Sequence, residues 1–351
     1  MRIGNRLITN TSRPYFIADI AANHDGSLER AFKLIELAKE AGADVAKFQN
    51  FKADFIVSKN AFDSMERLTH QSKWAKSVYD TYKDASLSDD WNLKLKEKCD
   101  EVGIEYMTSP YDKESVDNTE CLSNAIKIGS GDITWIEMLE YIAQKDKPVL
   151  LATGASDIED VKRAYEHIRN YNTDIILMQC NTNYTASDKN FSYINLNVLK
   201  TYRVLFPDAV LGLSDHTYGS TTVLGALAIG ATVFEKHFTD DNDRIGPDHK
   251  FSMNPQRWKE MVKEANLLYD AMGDGIKRIE DNESESAIVQ RRALYYMRDL
   301  KRGEVIGVDD LFPLRPIKPD GISPLYKENL IGKVVNRDVN KSEYARWEDV
   351  E

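Results

Sequence analysis

The chain has 351 residues, 42% of them hydrophobic and 29% charged, and its formal net charge is −11. This length suffices for one large domain of about 250 residues and a small second one, and no apolar run approaches the roughly 20 residues that span a bilayer. The acidic balance disfavours a nucleic-acid-binding role, because phosphate backbones are bound by clustered Lys and Arg.

The N-terminal stretch MRIGNRLITNTSRPYF lacks the apolar segment of a signal peptide, so the cytoplasm is the expected compartment. Three cysteines, Cys99, Cys121 and Cys180, are scattered along the chain without a CxxC pair. This pattern indicates neither a disulfide framework nor a cysteine zinc site, and it predicts three buried thiols.

Eight short apolar runs alternate with amphipathic stretches over the first two thirds of the chain. The runs are YFIADI (from Tyr15), DVAKFQ (from Asp44), IEYMTSP (from Ile104), AIKIGS (from Ala125), PVLLATG (from Pro148), IILMQC (from Ile175), AVLGLSD (from Ala209) and TVFEKHF (from Thr232). After the first run, a helix is predicted that begins after the cap Ser27, carries Leu34 on its apolar face and stops at Gly42. Eight βα units predict an α/β fold, a closed (β/α)8 TIM barrel.

A long insertion, from about Phe51 to Asp90, separates the second and third runs. It is rich in Lys, Ser, Asp and Trp and is too long for a plain βα loop. We expect it to fold over the top of the barrel.

Polar side chains close the predicted strands, where such barrels place their catalytic groups. They are Asp19, Asn23, His24, Lys47, Gln49, Thr108, Ser109, Lys127, Ser130, Asp132, Thr153, Gln179, Asn181, Thr182, Ser214, Asp215, His216, Glu235, Lys236 and His237. His216 and His237 follow the last two runs, and two imidazoles from neighbouring strand ends can hold one divalent metal. For either histidine alone, a buried structural imidazole is the alternative.

Lys47 and Lys127 lie inside apolar strands rather than on polar helix faces. Each can be a lysine that snorkels to the rim or pairs structurally with a carboxylate. Beside Lys127, the segment IGSGD adds hydroxyl and backbone donors that suit a phosphate or a carboxylate. A Schiff-base lysine is a further alternative, although two lysines with two histidines fit a metal and an anion better.

Several motifs resemble the sialic acid synthases and their relatives that make legionaminic and pseudaminic acids, which condense phosphoenolpyruvate with an N-acylated sugar aldehyde. They run in the family's order over nearly the whole chain: IADIAANHDGSLERAFKLIELAKEAGADVAKFQNFKA, YMTSPYDKESVD, AIKIGSGD, LLATGAS, GLSDHTYG, EKHFTDDNDRIGPDHKFSM and RPIKPDGISP. The resemblance implies a nonulosonic acid synthase that takes N-acetylmannosamine and yields N-acetylneuraminate. Its alternative is a legionaminate or pseudaminate synthase acting on a diacetamido-trideoxyhexose.

The resemblance also implies a role for individual residues. His216 and His237 match the ligands of a divalent ion, typically manganese, with magnesium or cobalt as alternatives. The positions that hold the phosphate and carboxylate of phosphoenolpyruvate are Lys47, Ser109, Lys127, Ser130, Thr182 and Ser214. The contacts to the acceptor sugar are Gln49, Tyr184 and Asp248. Asp19 stands where many members carry a glutamate, so its role in proton transfer or aldehyde positioning depends on whether the shorter carboxylate reaches.

Beyond residue 280 the pattern changes to short runs separated by turns. We predict a barrel domain over 1–280, a linker over 281–290 and a small β-rich domain over 291–351, in which RDLKRGE from Arg298 recurs loosely as RDVNKSE from Arg337. This segment resembles the antifreeze-like (SAF) domain of sialic acid synthases. The resemblance implies a domain-swapped homodimer in which Arg315 reaches the acceptor's N-acyl group.

Two other classes of function remain open at this point. One is a barrel aldolase or a related keto-acid phosphate synthase that uses another aldehyde, and the C-terminal domain argues against it. The other is a non-catalytic carbohydrate-binding or ice-binding protein, and the polar strand ends argue against that.

Overall fold

The computed structural model describes residues 1–65, 71 and 74–351. Within this range the chain forms two compact units, Met1–Gly273 and Asp274–Glu351. A two-stranded hairpin, β1 (Arg2–Ile3) and β2 (Arg6–Leu7), opens the first unit.

Eight parallel strands follow and close into a barrel, with the last strand paired to the first. The strands are β3 (Tyr15–Asp19), β4 (Val45–Asn50), β5 (Glu105–Pro110), β6 (Ile126–Ile128), β7 (Val149–Ala152), β8 (Ile175–Cys180), β9 (Val210–Asp215) and β10 (Val233–His237). Seven of the predicted runs contain a whole strand, and the second contains all of β4 except its last residue, Asn50. The predicted (β/α)8 barrel is therefore confirmed.

The helices of this unit surround the barrel or lie in the insertion. They are α1 (Leu28–Glu40), α2 (Ala53–Ile56), α3 (Lys59–Ser64), α4 (Val78–Ala85), α5 (Trp91–Val102), α6 (Lys113–Thr119), α7 (Ile136–Ala143), α8 (Ile158–Arg169), α9 (Val198–Leu205), α10 (Thr221–Ile229) and α11 (Pro255–Met272). In α1 the Ser27 side chain accepts from the backbone N–H of Arg30, and Gly42 turns the chain toward β4 at φ +91°. None of the helices in the described ranges is long and apolar enough to cross a bilayer.

Alternation along the strands divides the barrel core into two layers. Outward-facing side chains such as Ala18 and Phe48 pack against the helices, whereas inward-facing ones such as Ile17, Val45 and Met107 fill the N-terminal half of the barrel. Ile3 and Ile8, from the hairpin and the segment after it, join the inner layer, so the barrel is filled at this end. Polar inward-facing residues therefore occupy the opposite, C-terminal end.

The prediction of buried thiols is right for Cys99 and Cys180 and wrong for Cys121, which is exposed. Cys99 lies on the inner face of α5 and Cys180 ends β8. Cys121 instead lies in the turn after α6, where the neighbouring Leu122 packs against the core and the Cys121 side chain is left exposed.

The second unit is a small β-rich fold, as predicted. Its two-stranded sheet pairs β11 (Ala293–Tyr296) antiparallel with β12 (Leu311–Leu314), and short helices α12 (Ser284–Val289) and α13 (Lys327–Leu330) flank it. The predicted linker 281–290 thus contains α12, and the division between the units falls after Gly273.

The sequence echo in this unit corresponds to two equivalent ion-pair clusters. They are Arg298 with Glu304 and Asp310, and Arg337 with Glu343 and Asp349. The two copies meet at the bridge between Leu300 and Val339, which exchange both backbone hydrogen bonds. The unit therefore has an approximate internal twofold symmetry.

Candidate active site

A cavity of about 450 Å³ opens at the C-terminal end of the barrel. Every predicted site residue of the first unit except Thr182 lines it: Asp19, Lys47, Gln49, Ser109, Lys127, Ser130, Tyr184, Ser214, His216, His237 and Asp248. Parallel strands bring residues that are far apart in sequence to the same end, which is why strand-closing residues predicted this site.

Four buried charges occupy the inner part of the cavity. Lys47 Nζ lies 2.6 Å from Asp19 Oδ2 and 3.7 Å from Glu235 Oε1, and Lys127 Nζ lies 3.0 Å from Glu235 Oε1. Neither lysine snorkels to the rim, because both side chains are buried and paired with carboxylates. Two cations thus face two anions, an arrangement that lowers the cost of burying each charge.

Electrostatics keep the pair of Asp19 and Lys47 ionised. Burial raises the pKa of Asp19, but the Lys47 ammonium outweighs burial and lowers it to about 2. Burial lowers the pKa of Lys47, but Asp19 and Glu235 outweigh burial and raise it. A lysine held protonated is a poor nucleophile, which argues against a Schiff base at Lys47.

Hydroxyl groups surround the two lysines. Ser109 Oγ lies 3.3 Å from Lys47 Nζ, and Ser214 Oγ lies 3.3 Å from Glu235 Oε1. Ser130 Oγ accepts from the backbone N–H of Gly154 at 2.9 Å. The inner cavity therefore combines cations with hydroxyl donors, as a site for phosphate or carboxylate requires.

The two histidines meet nearer the mouth, with ring centroids 5.3 Å apart. His216 Nδ1 lies 2.7 Å from the carbonyl oxygen of Asn181, so Nδ1 carries the hydrogen and Nε2 is left for another partner. His237 Nδ1 is buried without a hydrogen-bond partner. Burial lowers the pKa of His237 to about 3, so its imidazole is neutral at pH 7.

These residues fit a divalent ion with two protein ligands. The described residues contain no group of three or more His, Cys, Asp or Glu side chains arranged as ligands. The unpaired Nδ1 of His237 is a neutral imidazole nitrogen of the kind that binds such ions, and Nε2 of His216 is the second candidate ligand. Burial lowers the pKa of His216, but its hydrogen bonds with Cys180 and Asn181 outweigh burial and raise it. Further positions on an ion would fall to water or substrate, as in catalytic metal sites.

Two carboxylates flank His237. Asp19 Oδ2 lies 3.8 Å from its Nε2, and Asp248 Oδ2 lies 3.9 Å from its Nδ1. Asp248 Oδ2 also accepts from the backbone N–H of Ala22 at 3.2 Å, and burial raises the pKa of Asp248 to about 6. Asp19 therefore reaches both Lys47 and the histidine although it is an aspartate.

Several residues of the site are not among the predicted ones. Glu235 closes a predicted strand but is not a predicted site residue, although its position two before His237 puts both side chains on the same face of the strand. The insertion contributes an aromatic wall, which we define as Phe51, Trp74 and Tyr82. No periodic signal predicted this wall, because the path of a long insertion is not set by the barrel pattern. The wall lines the cavity, which confirms that the insertion folds over the top of the barrel.

Two predicted residues lie outside the cavity lining of the first unit. Thr182 is half-buried beside Gly154, where its Cγ2 would lie 2.5 Å from a Cβ built on that glycine. Arg315 belongs to the second unit and is exposed directly after β12. Its contact with an acceptor stays a prediction.

Comparison with known proteins gives matches over nearly the whole chain. A model of the NeuB family matches residues 34–277, and a model of the SAF domain matches residues 291–351. The N,N'-diacetyllegionaminic acid synthase of Legionella pneumophila is 34% identical over 96% of this chain and 94% of its own length. A pseudaminic acid synthase of Campylobacter jejuni is 30% identical over 99% of each chain.

A solved structure has the same fold. The N-acetylneuraminic acid (sialic acid) synthetase of Leptospira borgpetersenii, in complex with citrate, superposes with a TM-score of 0.72 at 25% identity, covering 82% of this chain and 94% of that one. The relatives therefore share one architecture and differ in the sugar acid that their names give.

Proposed function

Because the chain belongs to the NeuB family, we propose that it condenses phosphoenolpyruvate with an open-chain N-acylated amino-sugar aldehyde to give a nonulosonic acid and phosphate. The observation that carries the proposal is the division of one cavity into two parts: Lys47 and Lys127 with serine hydroxyls deep inside, and the imidazole pair nearer the mouth. The first part suits an anion, and the second suits a carbonyl group that must be activated.

In the anion part, the two ammonium groups neutralise the phosphate and the carboxylate of phosphoenolpyruvate. The raised pKa of Lys47 keeps its charge in place through the reaction. Ser109, Ser130 and Ser214 supply hydroxyl donors around the same volume. Held in this way, the substrate can present its C3 methylene carbon to the aldehyde, and positioning of this kind lowers the barrier by several kcal/mol.

In the aldehyde part, His216 and His237 would hold a divalent ion, for which we propose Mn²⁺, with Mg²⁺ or Co²⁺ as alternatives. When bound, such an ion polarises a carbonyl oxygen and stabilises the negative charge that develops on it. Gln49, Tyr184 and Asp248 line the same part of the cavity and can orient the sugar hydroxyls. The new bond joins C3 of phosphoenolpyruvate to the aldehyde carbon, whose oxygen gains a proton. Water then adds at C2, and phosphate leaves.

N-acetylmannosamine is the acceptor that we propose first, with N-acetylneuraminate as the product. One observation favours the alternative, a diacetamido-trideoxyhexose: Phe51, Trp74 and Tyr82 give this cavity an aromatic wall, which suits methyl and acetamido groups. The 34% identical relative named as a diacetyllegionaminic acid synthase points the same way.

Phosphate release and product mass test the proposal together. The purified protein is incubated with phosphoenolpyruvate, Mn²⁺ and one sugar at a time, and the control omits the sugar. We expect sugar-dependent phosphate release and a product whose mass equals that of the sugar plus pyruvate. Phosphate release from no sugar in the panel would contradict the function, whereas the choice of sugar decides between the two acceptors.

We also propose that the protein acts as a domain-swapped homodimer in which Arg315 contacts the acceptor. Arg315 is exposed in its own unit, so replacing it should not disturb that fold. An Arg315→Ala variant that keeps the wild-type KM for the sugar would contradict this contact, and a monomeric mass in sedimentation equilibrium would contradict the dimer.

A further inference from the structure

The loop after β10 brings Asp248 to the cavity and turns the next residue, His249, away from it. The His249 ring is completely buried. Its Nε2 lies 2.9 Å from Asp25 Oδ1, and its Nδ1 lies 2.7 Å from Thr239 Oγ1. Since a carboxylate can only accept, Nε2 donates to Asp25, and in the neutral imidazole Nδ1 then accepts from the Thr239 hydroxyl.

Asp25 is in turn held by two arginines. Arg244 Nη2 lies 2.7 Å and Arg30 Nε lies 3.1 Å from Asp25 Oδ2, and Arg30 Nη1 donates to Asp240 Oδ2 at 2.8 Å. Burial raises the pKa of Asp25, but the hydrogen bonds from His249 and Arg244 outweigh burial and lower it. We call the cluster of Asp25, Arg30, Asp240, Arg244 and His249 the loop latch.

The latch joins the loop to the short turn Ala21–His24, which follows β3. This turn donates one backbone N–H to each carboxylate beside His237: Ala21 N–H to Asp19 Oδ1 at 3.1 Å and Ala22 N–H to Asp248 Oδ2 at 3.2 Å. Ala21 begins the turn with a φ of +44°, and Asp25 directly follows the turn with a φ of +50°. Non-glycine residues rarely adopt this left-handed conformation, so surrounding contacts must hold the turn in place.

We propose that His249 is a positioning residue that, through Asp25, sets the place of the Asp248 carboxylate relative to His237. The histidine bridges the loop and the turn with both ring nitrogens, and its ring packs directly on Gly246, where a Cβ would come within 2.6 Å of Cδ2. The order Thr, His, Asp resembles a nucleophile with its base, but the Thr239 side chain has no exposed surface for a substrate to reach. The role of His249 is therefore to hold the loop in place.

A His249→Gln variant tests the proposal by kinetics, and this readout rests on the proposed function. A glutamine can replace one of the two hydrogen bonds but cannot span both partners. We expect kcat to fall roughly 10- to 100-fold and KM for the sugar to rise, because small misplacements of a catalytic group have effects of this size. KM for phosphoenolpyruvate should stay within about twofold, because the latch contacts neither Lys47 nor Lys127. Wild-type constants, or equal changes in both KM values, would overturn the proposal.

The matched control is His167→Gln. His167 Nδ1 also lies 2.7 Å from a carboxylate, Glu140, but that pair joins α7 and α8 away from the cavity. The control should keep wild-type kinetics.

Hydrogen–deuterium exchange supplies a readout that does not depend on activity. Loss of the latch should free Asp248 and leave the Ala22 amide without its acceptor, so exchange in a peptide covering residues 20–26 should accelerate at least about tenfold. Arg244→Ala, a change at an exposed side chain, should act in the same direction if His249→Gln folds poorly. Unchanged exchange in these variants would overturn the positioning role proposed for His249. An inactive wild-type protein would contradict only the proposed function.

Discussion

Replacing Lys47 by methionine is the most informative single test of the buried charge cluster. The change removes the cation that lies 2.6 Å from Asp19 and 3.7 Å from Glu235 while keeping most of the side-chain volume. Two buried carboxylates then face each other with Lys127 as the remaining cation. We expect a loss of stability together with a loss of activity.

The magnitude follows from the pKa of Asp19. A carboxyl whose pKa is about 2 in the folded protein and 3.8 otherwise gains about 2 kcal/mol of folding free energy at pH 7. This stability is present above about pH 4 and is lost as the pH falls through about 2. The variant also leaves Glu235 with one cation fewer, and breaking a buried ion pair from one side costs roughly 3–5 kcal/mol in total.

The assay is urea unfolding of wild type and variant at pH 7 and pH 5, with phosphate release measured in parallel. In the variant, burial without Lys47 raises the pKa of Asp19 above its ordinary value of 3.8. Protonation of Asp19 at low pH therefore removes part of the free-energy cost of burying its charge. The stability difference should therefore be smaller at pH 5 than at pH 7.

Lys236→Met is the matched control. Lys236 is equally buried and pairs with Asp215, but on the outer side of the same barrel. We expect a comparable loss of stability, with activity per folded molecule retained. The reasoning would be refuted if the two variants lost activity equally, or if Lys47→Met were as stable as the wild type.

Three further predictions concern other parts of the molecule. His237→Ala should abolish phosphate release with the circular dichroism spectrum largely unchanged, and full activity in metal-stripped wild type would contradict the metal proposal. Gly154→Ala should raise KM for phosphoenolpyruvate about tenfold, because its Cβ would lie 2.5 Å from Thr182 Cγ2 and 3.0 Å from Ser130 Oγ and would displace both side chains; an unchanged KM would contradict a role of these two residues in binding that substrate. Arg337→Met should destabilise the second unit by roughly 3 kcal/mol, more than Arg298→Met, because Asp349 is fully buried whereas Asp310 keeps some exposure; equal denaturation midpoints would argue against this.

Much of the fold and of the inner site followed from sequence pattern. Short apolar runs that alternate with amphipathic stretches predicted the strands, and the strand-end rule correctly predicted that Lys47, Lys127, His216 and His237 share one cavity. Thr182 shows the limit of the rule. Strand β8 ends at Cys180, and beyond that point the alternation of a strand no longer decides which side chains face the cavity, so Thr182 packs beside Gly154 whereas Tyr184 lines the cavity.

What the sequence could not predict depends on loops. The aromatic wall comes from the insertion, whose residues follow neither the period of a strand nor that of a long helix. The loop latch joins Asp25 to His249 across 224 positions of the chain, and its ion pairs lie in turns. Side-chain pairing of this kind is set by tertiary structure, which local pattern does not encode.

Apolar side chains, including Ile3 and Ile8, fill the N-terminal half of the barrel. The cavity is therefore closed at its inner end. Lys47 stands two residues before Gln49 on β4, and Glu235 stands two residues before His237 on β10, so each lies deeper in the cavity than the later residue of its strand. A molecule seated on the lysines must therefore enter before one that rests against the histidines. If the proposed function holds, we expect an ordered addition in which the anion binds first and the sugar second, so that free phosphate competes with the first substrate alone.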